Sequence, residues 1–255
     1  MSPVTTTAPL ATYLVRHADD NLIIGQRLAE YISEAPELEE DLAIGNLSLD
    51  HIGVAMHLYQ YAASLGGAGI TADTLAFLRT EREFSNVLLV EQPHVGFGDV
   101  IARQFFFAAY QTLLWEALVS SCDETLSGIA AKALKEATYH LRHASGWVVR
   151  LGDGTDESHT RMQAAVDGFW RFTGELFESD ALVDEMVLAG IGVDPARLQT
   201  TWETRVSTVL SEATLTHPSD PYQATGGRTG MHTEHLGYLL AEMQWMQRTF
   251  PNMEW

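Results

Sequence analysis

The sequence has a single cysteine, Cys122, and is short of basic residues: 15 Lys and Arg stand against 34 Asp and Glu, a formal net charge of −19. One thiol excludes an intramolecular disulfide framework and any thiolate-rich zinc or iron–sulfur site, because each needs several sulfurs. It also points to a reducing cytoplasm. The shortage of Lys and Arg, with no basic stripe, excludes nucleic acid as a partner, since that binding draws on cations that neutralise phosphates. Anionic small molecules are repelled as well unless a local basic pocket captures them, so a basic protein is the easier partner. Nowhere do 18 apolar residues run unbroken, and the first ten residues lack a basic segment followed by an apolar one. The pattern therefore predicts neither a membrane span nor a secretory leader.

What is present is a globular balance, 46% hydrophobic and 19% charged over 255 residues, with helical periodicity almost throughout. The first helix is predicted over Ala11–Ile32 and ends before Pro36, which cannot continue it. The second, Glu37–Leu65, carries two apolar stripes. Leu38, Leu42, Leu49, Ile52, Met56 and Tyr59 form one; Ile44, Leu47, Val54, Leu58 and Ala62 form the other, so the helix is expected to be buried on two sides. Gly66, Gly67 and Gly69 stop it. A short helix near Thr74–Glu83 and an irregular crossing through Gln92–Gly96 follow. The third long helix, Gly98–Ser121, is apolar on most faces, with Phe105, Phe106, Phe107, Tyr110 and Trp115; it is either central or meets another subunit. Asp123 is placed to cap the fourth, which runs to Leu151 and keeps Lys132, Lys135 and Arg142 on its wet side. Further helices are predicted near Asp156–Phe177, Ala181–Ala189, Pro195–Leu215 and Thr233–Arg248.

Two helices, a long crossover and two more helices describe an all-α, ferritin-like four-helix bundle with additional C-terminal helices. The expected organisation is one ferritin-like domain over 1–255, with a core bundle at about 8–152 and appended helices at about 155–255. Such bundles hold two metals through one Glu from each of two helices and a Glu-x-x-His pair from each of the other two, because the i, i+3 spacing puts both ligands on one inward face. Neither the second nor the fourth helix carries that pair. The second offers Asp50-His51-Ile52-Gly53-Val54; on the fourth, the residue three before His140 is Ala137, while Glu136 lies four before it. Buried carboxylates without metal would repel and lose solvation, whereas Val54 and Ala137 simply pack.

Other constellations read as structure. In His232-Thr233-Glu234-His235 the spacing does not align three ligands, and Thr233 with Glu234 is an ordinary helix start. Thr225-Gly226-Gly227-Arg228-Thr229-Gly230 lacks the lysine and the strand of a phosphate loop and reads as a flexible connection. No nucleophile-elbow pattern is present. His17, Asp19 and Asp20 read as a solvated face of the first helix.

Several stretches together resemble the C-subunit (PaaC) family of ring 1,2-phenylacetyl-CoA epoxidases. They include Glu34-Ala35-Pro36-Glu37-Leu38-Glu39, Phe84-Ser85-Asn86-Val87-Leu88-Leu89-Val90-Glu91-Gln92-Pro93, Ile101-Ala102-Arg103-Gln104 and Lys135-Glu136-Ala137-Thr138-Tyr139-His140-Leu141-Arg142. Leu151-Gly152-Asp153-Gly154-Thr155, Thr225-Gly226-Gly227 and His232-Thr233-Glu234-His235-Leu236-Gly237 extend the resemblance nearly end to end. It implies a ferritin-like subunit of a multicomponent bacterial monooxygenase in phenylacetate catabolism, itself catalytically silent. In that family the A subunit binds the di-iron centre and phenylacetyl-CoA, and a B subunit and an NADPH-dependent reductase complete the system. Carried over by position, the metal-bearing relative's Glu-x-x-His pairs fall on His51 and Val54, and on Ala137 and His140. The expectation is thus no catalytic residue, no metal and no cofactor in this chain, with Phe105, Phe106, Trp115, His232 and His235 as candidate interface. A second reading makes the chain a di-iron oxygenase with an irregular ligand set drawn from Glu30, Asp50, His51, Glu136 and His140. Iron storage, a third, is opposed by the lack of a carboxylate-rich centre.

Overall fold

The computed structural model describes residues 8–67, 69–251 and 253; the stretch searched for a leader lies, through residue 7, outside them. Among the described residues the chain is all-α, without strands. Its helices are α1 (Pro9–Ala29), α2 (Leu38–Leu65), α3 (Ala72–Phe77), α4 (Leu88–Glu91), α5 (Phe97–Leu118), α6 (Glu124–Gly152), α7 (Asp156–Trp170), α8 (Ala181–Leu188), α9 (Ala196–Glu212), α10 (Glu234–Met243) and α11 (Trp245–Thr249). Two compact units result: Met1–Gln92 together with Thr225–Trp255, and Pro93–Ala224. The helices after residue 155 divide between them, α7 to α9 in the second unit and α10 and α11 in the first.

The first unit is built on the α1–α2 hairpin. Pro9 opens α1, where its missing N–H is no loss. The helix ends at Ala29, short of the predicted Ile32, because the chain turns through Ser33 at φ 79°. The Asp41 carboxylate fixes that turn by accepting the N–H groups of Ser33 (3.0 Å) and Ala35 (3.1 Å). Midway, α1 and α2 meet closely: Ser48 donates to the Gly25 carbonyl at 2.8 Å, and a Cβ on Gly25 would stand 3.0 Å from Ile52 Cγ1. The stripe of Ile44, Leu47, Val54, Leu58 and Ala62 is buried as predicted. The other stripe is corrected in part: Tyr59 is buried as predicted and Ile52 half-buried, but the rest is open. Leu38, Leu42, Leu49 and Met56 are 70, 62, 66 and 45% exposed, because periodicity reports where apolar side chains point and not whether anything covers them.

In the second unit α5 is the centre, flanked by α6, α7 and α9. Asp99 accepts the N–H groups of Val95 (2.8 Å) and Gly96 (3.1 Å) and starts the helix. Every residue from Val100 to Trp115 is buried. The Trp202 indole of α9 donates to the Phe106 carbonyl at 3.0 Å, and its ring lies 5.9 Å from Phe106, 5.8 Å from Trp170 and 5.2 Å from Phe177. The candidate interface on Phe105, Phe106 and Trp115 is therefore corrected: all three side chains are fully enclosed by the chain itself. Asp123 caps α6 as predicted, accepting Leu126 N–H at 2.8 Å, and α6 buries one side only, from Leu126 to Val148.

At its end α6 runs against the turn after α9. The Gly152 carbonyl accepts from Thr214 at 3.3 Å, and a Cβ on Gly152 would fall on the Ala213 carbonyl and 3.0 Å from Leu215 Cγ. Alanine normally favours a helix over glycine by about 1 kcal/mol, but here the collision is with backbone. Gly152→Ala is expected to lower the unfolding free energy by about 2–3 kcal/mol, read as a loss of roughly 5–10 °C in melting temperature.

Candidate functional site

Helix α1 presents no wet side in its middle. Tyr13, Leu14, Val15, Ala18, Leu22, Ile23 and Ile24 are all buried, and so are His17, Asp19, Asp20 and Asn21 between them. The solvated face expected of His17, Asp19 and Asp20 is thus overturned. Buried carboxylates persist only when paired, and each is. Asp19 receives both terminal nitrogens of Arg79, the Tyr59 hydroxyl, and the Ser85 N–H and hydroxyl at 2.8 and 3.0 Å. The Arg79 guanidinium lies 4.1 Å from the Phe84 ring centre. Asp20 receives Val87 N–H at 2.8 Å and a two-pronged contact from Arg228 at 3.0 and 2.8 Å.

Arg228 also donates to the Ser85 carbonyl at 2.8 Å, so the Thr225–Gly230 stretch is a tied element and not the flexible connection predicted. Gly230, at φ 76°, holds the turn, and a Cβ there would meet the Arg82 backbone. A third carboxylate, Glu91, accepts from Asn86 (2.8 Å), His232 Nδ1 (2.7 Å), Thr233 N–H (2.7 Å) and the Thr233 hydroxyl (2.8 Å). The candidate interface on His232 is corrected too, since its side chain is only 3% exposed. His235 is half-buried, and its carbonyl accepts from Arg27 at 3.0 Å.

These surroundings set protonation. Burial, against the pull of Arg228, raises Asp20 to about 6. Burial, with Arg228 and Arg16 nearby, lowers His17 to about 3, so it is neutral at pH 7. Burial and the Asp19 charge raise Tyr59, which keeps its proton. His232 is raised despite burial, because Glu91 and the Phe84 carbonyl, 2.9 Å from Nε2, are both acceptors and favour the doubly protonated ring.

The positions implied as metal-ligand equivalents lie on α2 and α6. His51 is buried and its Nδ1 bonds Asn21 Oδ1 at 2.9 Å; Val54, one turn on, is buried and has no donor atom. On α6, Ala137 and His140 are both buried. In the irregular set, Glu30 is bound by Arg27 at 2.7 Å and Glu136 lies 3.8 Å from Lys132, while Asp50 is half-buried. Among the described residues no group of three or more His, Cys, Asp or Glu could hold a metal ion. The residues at the four equivalent positions do not fit a di-iron centre, which needs carboxylates where His51 and Ala137 stand and a histidine where Val54 stands. No helix among the described residues is long and apolar enough to cross a membrane.

A family model described as phenylacetic acid catabolic protein matches residues 1–255. The chain is 50% identical over 246 residues to the C subunit of the 1,2-phenylacetyl-CoA epoxidase of Escherichia coli (strain K12), an alignment that covers 96% of this chain and 99% of that protein.

Two outcomes test the network. Arg228→Met strands the Asp20 carboxylate and is expected to cost about 3–5 kcal/mol in urea unfolding, with the double change Asp20→Asn, Arg228→Met recovering much of it. His232, raised in the folded state, contributes stability that is fully present below pH 6.5 and fades as pH rises through its folded value. Measured against His232→Gln, the wild-type advantage should shrink above pH 6.5, by up to about 1.4 kcal/mol per pH unit.

Proposed function

The chain belongs to the phenylacetic acid catabolic protein family, whose fold is ferritin-like, and from that membership we propose that it is the C subunit of a cytoplasmic 1,2-phenylacetyl-CoA epoxidase. Its part is structural: it binds and positions the catalytic A subunit, which holds the di-iron centre and the phenylacetyl-CoA site. The B subunit and the reductase are further members of the assembly.

One observation carries the structural role. Where the resemblance puts Glu-x-x-His pairs, Val54 and Ala137 occupy the core with side chains that have no metal-donor atom. His51, which could bind metal by chemistry, directs its Nδ1 to Asn21. Positions filled this way pack without an ion, since they bring no carboxylate that one would have to neutralise.

The test is metal content and turnover together. Expressed alone in iron-supplemented medium and purified without chelator, the chain should hold iron near zero; with the A subunit it should form a one-to-one complex holding about two irons, the complement of one complete carboxylate site. His140→Ala should leave turnover of the reconstituted complex within about twofold, a rate change worth roughly 0.4 kcal/mol. About two irons in the chain alone, lost together with turnover in His140→Ala, would overturn the structural role.

A further inference from the structure

Among the described residues nothing covers the open stripe of α2. Leu38, Leu42, Leu49 and Met56 follow one another at steps of four, seven and seven residues, which keep side chains on one helix face, over a length of about 27 Å at 1.5 Å per residue. Ile32, 47% exposed, extends the apolar surface before the helix begins. Two of the positions between are glycine: a Cβ on Gly53 would meet nothing within 4 Å, and one on Gly45 would meet only Ile32 Cδ1, at 3.8 Å. A helix laid along this line could approach closely and bury its own apolar stripe against three leucines and a methionine.

Charge selects among occupants. Between Arg27 and Arg79 the sequence has no Lys or Arg, but has acids at 30, 34, 37, 39, 40, 41, 50 and 73. Glu39 and Asp50 border the stripe on one side and Asp41 on the other, by helical angle. A second copy of this chain would set this acidic border against itself, with 19 net negative charges on each side, a like-charge juxtaposition that costs affinity. A membrane surface bearing anionic lipid is repelled for the same reason. An apolar helix bordered by Lys and Arg is attracted, and its basic border also speeds encounter.

We infer that the α2 stripe is the hetero-subunit docking seam, and that its occupant is an apolar helix face of the A subunit bordered by basic residues. This rests on the structural role proposed above and adds the face and the chemistry of the contact.

The decisive experiment compares the wild-type chain with Leu42→Glu/Leu49→Glu for binding to purified cognate A subunit, by surface plasmon resonance at 50 and 300 mM NaCl. Both leucines are exposed, so the variant should keep the wild-type melting curve, and an Asn46→Gln variant on the neighbouring exposed position serves as a folded control. The expected result is a loss of affinity of a hundredfold or more in the double variant, little change in the control, and a wild-type association rate that falls as salt rises. Wild-type affinity in the double variant would overturn the seam and leave the structural role standing. A wild-type chain that ignores the A subunit would overturn that role and the seam with it. A discrete dimer of the chain alone, split by the double variant and not displaced by excess A subunit, would assign the face to a second copy and overturn the hetero-subunit occupant.

Discussion

The first unit depends on answering three carboxylates that its fold takes out of water. Asp19, Asp20 and Glu91 are each fully buried, and an unanswered buried charge costs a large part of the small net stability a fold retains. The answers come from far along the chain: Arg79 lies 60 residues from Asp19, Arg228 lies 208 from Asp20, and His232 lies 141 from Glu91. Because each donor must arrive at a particular oxygen, these contacts fix where the loop before α4 and the stretch before α10 run. Hydrophobic contact alone would tolerate sliding; a two-pronged guanidinium does not.

The second unit is organised by a different rule. Its centre, α5, is enclosed by aliphatic and aromatic side chains, with single polar ties such as the Trp202 indole to the Phe106 carbonyl. The aromatic richness of α5 is therefore used inside the chain, and its buried rings offer no surface to a partner. The long apolar stripe that stays open lies instead on α2, in the first unit, where the acidic border is also concentrated. Of the long helices, α5 is thus the most apolar and the best covered, and the exposed seam belongs to α2.

Much of the helical order was legible because it is local. The capping of α6 by Asp123, the stop at Gly66 and the one-sided burial of α6 all follow from residues within a turn or two of each other. What escaped was long-range. Asp19 and Asp20 look like surface acids when judged by type; the available signal was that apolar residues occupy every side of α1 around them, which leaves no wet face for a carboxylate to use. Nothing near Arg228 announces its partner, so a Gly-rich stretch around one arginine passed for a loose connection. The two stripes of α2 are equally apolar in sequence, and only the packing distinguishes the covered one from the open one. Of the candidate site, the missing donor at Val54 and Ala137 could be read directly, since the absence of a donor atom is a property of the residue and not of its surroundings.

The first unit is assembled from two pieces of chain separated by the whole of the second. During synthesis at about 5–20 residues per second, roughly 10–40 s pass between the emergence of Asp20 and that of Arg228. Asp19 meets Tyr59, Arg79 and Ser85 early in that interval, but Asp20 is without its arginine until the end of it. The first unit is therefore expected to be completed only after translation has run through residue 228, and its closing arginine acts as a check that it has.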